Sequence, residues 1–534
     1  MQGASAVDER RRILLQRMGA AALFAGFDEM LPMRAFANAD AALETRGIAP
    51  AAVVAFLDAA AAKGYELHSL AVARGGRIAA RGWFAPYRAD APHSLYSLSK
   101  GFTSTAVGFA IAEGKLRLTD KVIDFFPQQR PAQVSEHLAA LCIEHLLTMS
   151  VGHPTDATLT VTRDEDWVRS FLALPIEFAP GSVYLYNSAA TYMLSAIVQK
   201  LSGEKLVDYL RPRFFDPLGL PKMRWAECPR GINTGGWGLS ATTESLIKYG
   251  QFYLQNGRWN GKQLLPCEWI ERATTFKIQQ PARNGEDLEQ LKKTSDWHQG
   301  YCYQILRCRH DAFRNDGSFG QYCVVMPKLD TVVAITGNTL DLQGALNLVW
   351  DHLLPGLEQP GPANRDAQEH LRSRLAGLTL PLPQGSAHSP RDGKRLNYAV
   401  EANALGVRSV SVSFEDDKCR VVFDVAGRMH TIDCGIGRWH DGETELPGTP
   451  PEFVELIGRT VNPQGPAKVA AAGAWKDADT FQMQWRYYET PFSDTVTLKF
   501  SGDALEIVFL NSFTQMAAKA HPERRPILKG KARS

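Results

Sequence analysis

Ser97-Leu98-Ser99-Lys100 sets a hydroxyl and an amine three residues apart. The segment that follows, FTSTAVGFAIAEGKL, carries apolar residues at helical spacing, so Ser97 is expected at a helix N-terminus with Lys100 one turn on along the same face. A serine hydroxyl is a weak nucleophile until a neighbour accepts its proton. A lysine desolvated near a helix N-terminus has its pKa pushed down and can accept it. The positive end of the helix also favours charge developing on an attacked carbonyl oxygen. Alone, such a spacing is usually a serine cap beside a solvated lysine.

Two further segments could complete the chemistry. PGSVYLYNSAATYMLSAIVQKLSG (180–203) offers a turn, Tyr186-Asn187-Ser188, and then an amphipathic helix. A tyrosine on such a loop can reach a serine–lysine pair as general acid and base, although one tyrosine taken singly is more often a half-buried aromatic. In FRNDGSFGQYCVVMP (313–327), a glycine-bearing turn leads into an apolar strand. Gly317 would let the backbone approach a ligand closely. The N–H groups of Ser97 and Ser318 could then form an oxyanion hole. A plain hairpin turn is the ordinary meaning of this segment.

The elements that must position these residues are legible as patterns. AAVVAFLDAAAAKG reads as a helix, and LHSLAVARGG with RIAARGWFAP as a hairpin turning at Gly75-Gly76. From about 97 to 270 the chain reads as mostly helical. GYCYQILRC, GQYCVVMP and DTVVAITGN then read as strands, so one sheet is built from both ends of the domain. LVWDHLLP (348–355) reads as a closing helix, which bounds a catalytic unit at 45–360. A Pro/Gly-rich and polar stretch over 361–393 reads as a linker. Alternating apolar and polar residues over 394–515 indicate a small all-β domain, expected to be separable from the chemistry because it holds none of the three motifs. Residues 516–534 read as a loose basic tail.

At 534 residues the chain is long enough for more than one domain, and 45% apolar with 22% charged residues suits a globular core. A net charge of +2 with no basic stripe points away from nucleic acid. The eight cysteines form no CxxC pair, so a metal or redox site has little support, and most are expected to be buried free thiols. Residues Arg10 to Arg12 precede a short apolar run (18–27) and AFANA (35–39), a pattern similar to a twin-arginine export signal over 1–39. The run is too short for a stable membrane span. The expectation is a periplasmic or secreted protein, with a cytoplasmic one as the alternative.

Taken together, SLSK, IEHLLTMSVG (143–152), PGSVYLYNS and GGWGLSATTESLIKYG (235–250) resemble, in order, the serine β-lactamase-related hydrolases. That family includes class C β-lactamases, DD-peptidases, esterases and small-amide hydrolases. The resemblance covers roughly 50–355. It implies an α+β fold, a β-lactamase/transpeptidase-like antiparallel sheet flanked by helices with a helical lobe, and no cofactor or metal. By carry-over, Ser97 is the nucleophile, Lys100 assists it, and Tyr186 is the base for acylation and the acid for the leaving group. Asn187, Ser188, Arg314, Asn315, Asp316 and Gly317 become the substrate-binding candidates.

Two departures bear on substrate. The family's Tyr-x-Asn motif has Ser188 in the third place, with Asn187 beside it. Its third motif, usually Lys or His two residues before the glycine, reads Asn315-Asp316-Gly317 here, with Arg314 just before. Asp316 would repel a substrate carboxylate, although Arg314 could compensate. These changes favour a small ester or amide substrate. The alternatives are a β-lactamase or D-amino-acid peptidase of the penicillin-binding kind, and a non-catalytic binding protein that keeps the fold.

Overall fold

The computed structural model describes residues 47–533 apart from 284, 363, 389–390, 392, 416, 451–458, 462–464 and 518–521. The export signal expected over 1–39 lies outside the described residues. Helix α1 (Pro50–Ala62) opens on a proline, whose absent N–H would have had no partner in a first turn. Strands β1 (Glu66–Arg74) and β2 (Arg77–Trp83) follow. Gly75 and Gly76 join them at φ +57° and +71°, a left-handed pair whose twist matches that of a hairpin.

The chain then makes a long helical excursion that includes α2 (Ser99–Ala112), α3 (Ser188–Ser202) and α4 (Thr243–Leu254). It returns as β3 (Leu306–Arg307), β4 (Phe313–Gly317), β5 (Gln321–Met326) and β6 (Thr331–Asn338). The sheet order is β2-β1-β6-β5-β4-β3, with every pair antiparallel. Strand β6, from the end of the unit, pairs with β1 from its beginning, as the layout required. Strand β6 is buried along its whole length. Its Val332 and Ala334 join the core under the helical excursion. Val333 and Ile335 join the core under α1 and α5 (Leu342–Leu348). A strand with helices over both faces has no polar side to show.

Three expectations are corrected. YCYQILRC is not one extended strand. Gln304 adopts φ +61°, and the chain turns so that the Cys302 amide donates to Ile305 O at 2.9 Å. The turn is held by a buried amide: Gln304 Nε2 donates to Leu146 O and Leu147 O, while its Oε1 accepts from Thr191 Oγ1. All eight cysteines are free, and seven are buried. The second correction is that the 361–393 stretch contains helix α6 (Arg365–Ala376), capped by Asn364, which buries Leu371 and Leu375 in the core under α1 and α5.

The third concerns the basic tail. Leu528–Ala532 is a strand, β16, of the C-terminal barrel. The barrel strands in chain order are β7 (Arg395–Val400), β8 (Val407–Glu415), β9 (Lys418–Val425), β10 (Arg428–Ile436), β11 (His440–Thr444), β12 (Ala467–Trp475), β13 (Thr480–Arg486), β14 (Ser493–Ser501), β15 (Ala504–Asn511) and β16. Strand β16 fills the place between β7 and β15, and a parallel β10–β12 pairing closes the circuit. Without β16, two edges would present unpaired backbone groups. Arg525, just upstream, adds a bidentate pair with the fully buried Asp494 at 2.7 Å. Phe414, Phe423, Trp485, Val496 and Ile507 are among the side chains that fill the barrel interior.

The barrel does not hang free. Arg486 pairs with Glu66 of β1 at 2.6 Å, and Glu66 contacts His68, which contacts His93, each at 3.0 Å. Burial would raise the Glu66 carboxyl, but Arg486 and His68 outweigh it and hold it at about 2. Burial, followed by His68, pushes His93 down to about 3.

Candidate active site

Ser97 lies in a short helical turn, Tyr96–Leu98, that runs straight into α2. Lys100 falls in the first turn of α2 and is 2% exposed. Its Nζ donates to Ser97 Oγ at 3.0 Å, to Ser188 Oγ at 2.9 Å and to Gly236 O at 2.8 Å. Burial pushes its amine from 10.5 down to about 7, against the opposing pull of Asp156 and Asp316. A neutral amine is therefore accessible near neutral pH, which a solvated lysine could not offer.

Tyr186 ends the loop before α3, and its ring centroid is 4.7 Å from Lys100 Nζ. Burial raises the phenol well above its ordinary value, with the Ser97 hydroxyl as an opposing hydrogen-bond partner. The loop is held by the IEHLLTMSVG segment. Leu185 N donates to Met149 O at 2.8 Å, and Gly181 N to Ser150 O at 2.8 Å. Met149 itself sits at φ +56°.

The remaining candidates from the second and third motifs divide sharply. Asn187, expected to contact substrate, turns inward and is 1% exposed. Its Oδ1 accepts from Ala189 N at the start of α3, and its Nδ2 contacts His153 Nδ1 at 3.0 Å. An asparagine at an N-cap satisfies an amide the helix itself cannot. Ser188, one residue on, instead faces Lys100. Asn315 is also drawn away from the site: its Oδ1 accepts from Tyr249 and its Nδ2 donates to Gln304 O. Arg314 is fully buried, with its guanidinium 4.3 Å from the Trp297 ring and its Nε donating to Asp316 Oδ2 at 2.8 Å. Arg314 thus neutralises Asp316 from behind.

Ser97, Tyr186, Asp316, Gly317 and Ser318 line one cavity of about 570 Å³. Gly317 owes its identity to the chain's own backbone, not to a ligand, because a Cβ there would come within 2.0 Å of Leu95 O. Strand β4 consequently lies hard against the turn that carries Ser97.

The cavity also recruits residues that motif reasoning missed. Tyr184, Gln280, Arg283 and Trp297 form part of its wall. The last three come from a polar stretch with no periodicity, and only packing brings them here. Gly236 was within reach of sequence reasoning: paired glycines signal close approach, and a Cβ on Gly236 would come within 3.0 Å of Ser188 O.

Comparison with known proteins is consistent with this geometry. The chain is 31% identical over 184 residues to penicillin-binding protein 4 of Amycolatopsis lactamdurans, covering 34% of this chain and 45% of that one. It is 29% identical over 235 residues to a β-lactamase of Escherichia coli, covering 40% and 56%. It is 24% identical over 272 residues to the 6-aminohexanoate-dimer hydrolase of Paenarthrobacter ureafaciens, covering 46% and 68%. The chain spans about half the length of the first two of these relatives. The Beta-lactamase family model matches residues 52–353, which takes in the whole sheet, the helical excursion and every residue of the cavity; by this match, over more than half of its length, the chain belongs to the Beta-lactamase family.

Proposed function

We propose that this chain is a serine hydrolase that cleaves a small ester or amide through an acyl-enzyme on Ser97. The observation that carries the reading is Lys100, buried, with its amine near 7 and 3.0 Å from Ser97 Oγ at the cavity wall. In this scheme neutral Lys100 takes the Ser97 proton as Oγ attacks the carbonyl carbon. The oxyanion rests on the Ser97 and Ser318 N–H groups. Tyr186, protonated because its phenol is raised, hands a proton to the leaving group and is replenished by Lys100. Water attacks the acyl-enzyme by the reverse relay and releases the acid. The base role moves from Tyr186 to Lys100 because burial disfavours a phenolate but favours a neutral amine.

Intact-mass analysis after exposure to a fluorophosphonate and to p-nitrophenyl butyrate tests this. One adduct mapped to Ser97, absent in Ser97→Ala, is expected. Adduct formation elsewhere, or turnover by Ser97→Ala above about a tenth of wild type, would sink the assignment.

One observation favours a second reading. Arg283 stands at the cavity wall and is exposed. A cation there could receive the carboxylate of a β-lactam or peptide, a role Arg314 is too deeply buried to fill. The comparison to make is kcat/KM for nitrocefin against p-nitrophenyl butyrate on one preparation. A higher nitrocefin value, reduced by Arg283→Ala, would move the protein to the β-lactam branch. The arginine-led N-terminal pattern supports work outside the cytoplasm, which fractionation of expressing cells would test.

A further inference from the structure

We infer that the C-terminal barrel is part of the catalytic apparatus, with Phe492 as the positioning residue that holds the nucleophile turn and the oxyanion turn in register. This rests on the hydrolase reading above. Each proposed oxyanion amide has a strained neighbour. Tyr96, directly before Ser97, sits at φ +49°, and Phe319, directly after Ser318, at φ +69°. Bulky side chains rarely hold that conformation, and they keep it only where the surroundings over-determine it.

The surroundings here belong to the barrel. Phe319 is 5% exposed and is a member of the barrel's own hydrophobic core, and Tyr96 packs against that core. The two rings meet edge to face at 5.1 Å. Phe492, from the turn between β13 and β14, stands beside both, 5.2 Å from Phe319 and 6.4 Å from Tyr96. Phe513, just after β15, lies 5.8 Å from Phe319. Edge-to-face pairs at these separations are directional as well as apolar.

The same barrel turn also holds the backbone. Ser94 donates to Glu489 O through its N at 2.9 Å and its Oγ at 3.1 Å. Arg224 pairs with the Glu489 carboxylate at 2.7 Å, and Tyr87 Oη donates to Thr490 O at 3.1 Å. From the other side, Leu95 N donates to Leu239 O at 2.9 Å. The segment leading into the Ser97 turn, Ser94-Leu95, is therefore clamped between the barrel and the Leu239 strand. Gly317 closes the arrangement by bringing β4 against Leu95. Loss of the Phe492 ring would leave Tyr96 and Phe319 free to relax, and the backbone beside each would shift, carrying the Ser97 and Ser318 N–H groups out of register.

The test compares Phe492→Ala, Phe492→Leu and Phe513→Ala in the full chain. The readouts are kcat and KM for p-nitrophenyl butyrate, the Ki of a phenylboronic acid, and hydrogen exchange of the backbone over 94–99 and 316–320. Phe492→Ala is expected to lower kcat by about 10–100-fold with KM within about threefold, as a small misplacement of reacting groups does. Boronic-acid affinity should fall in parallel, because the tetrahedral boronate uses the same amides, and exchange should rise in both segments. Phe492→Leu should recover most of kcat. Phe513→Ala, a half-buried and milder change, should move every readout in the same direction if Phe492→Ala does not fold. Wild-type kcat, Ki and exchange in folded Phe492→Ala or Phe513→Ala would show that the aromatics only glue the domains together, and would overturn the proposal. A wild-type protein that neither labels at Ser97 nor hydrolyses any ester would instead overturn the hydrolase reading, while the exchange data would still report on the clamp.

Discussion

Lys100 donates to three acceptors inside a buried pocket, and its amine titrates near 7. Its protonated form cannot take the Ser97 proton. The kcat/KM profile should therefore fall about tenfold per pH unit below an apparent pKa near 7. A profile flat from pH 5 to 8 would exclude Lys100 as the base. Stability carries the opposite mark. The folded value lies below the unfolded 10.5, so the folded state binds fewer protons between about 7 and 10.5. Burying Lys100 thus costs stability that grows as pH falls through that window and levels off below it. Lys100→Met should abolish turnover yet raise Tm at pH 7, and the gain should shrink by pH 10. Lys100→Ala and Tyr186→Phe should each remove most activity, with the double variant little worse than either single, since members of one relay are not additive.

At the level of elements, two substitutions separate scaffold from chemistry. Asn187 caps α3 and faces His153, away from the cavity. Asn187→Ala should cost about 1 kcal/mol of stability, as loss of a helix cap does, with KM for an ester unchanged. A raised KM with unchanged Tm would return Asn187 to the substrate. Gly317→Ala is the contrary case. Its Cβ would overlap Leu95 O, a backbone atom that cannot swing aside. Strand β4 or the Ser97 turn must then shift, and activity should drop by about 100-fold, the scale at which small misplacements act. Both variants should lose some thermal stability, and kcat should separate them: unchanged in Asn187→Ala and lowered in Gly317→Ala.

Across the whole molecule, the Glu66–Arg486 pair joins β1 of the six-stranded sheet to β13 of the barrel. The Glu66 side chain keeps about a quarter of its surface exposed. Arg486→Ala should therefore cost about 3 kcal/mol, the low end for breaking a buried pair. The Glu66 carboxyl is held at about 2, below its unfolded 4.5. Its contribution is complete above about 4.5 and is lost as pH falls from there to 2, so the acid-unfolding midpoint should move upward in Arg486→Ala. An unchanged midpoint would mean that the two units unfold independently. On the proposed clamp, the barrel is not dispensable, and a chain ending near 365 should fail to label at Ser97. The barrel's contacts reach the catalytic unit through carbonyls and rings that carry no motif.

Local pattern determined a good deal. It placed α1, the Gly75-Gly76 hairpin and β6, because an apolar face, a glycine pair or an unbroken apolar run is written in consecutive residues. SLSK and the Tyr186 loop announced a serine–lysine–tyrosine set, because a helix start and a capped loop are short-range structures. The alternation over 394–515 announced a β domain. Tertiary structure alone decided the rest. Asn187 and Ser188 are neighbours with equal claims by type, and only the packing of α3 against α2 sends one to a cap and the other to Lys100. Arg314 and Asp316 share a face of β4, yet whether that charge meets substrate or is neutralised from behind depends on Trp297 and on burial. The 528–532 segment reads as a basic tail because polar strand residues at a barrel surface have no apolar rhythm to display; it becomes a strand because β7 and β15 leave a gap of its width. Arg283 and Trp297 come to the cavity wall, and Phe492 to the rings of Tyr96 and Phe319, over long sequence separations. No local signal marks them, since what selects them is the shape of the space they fill.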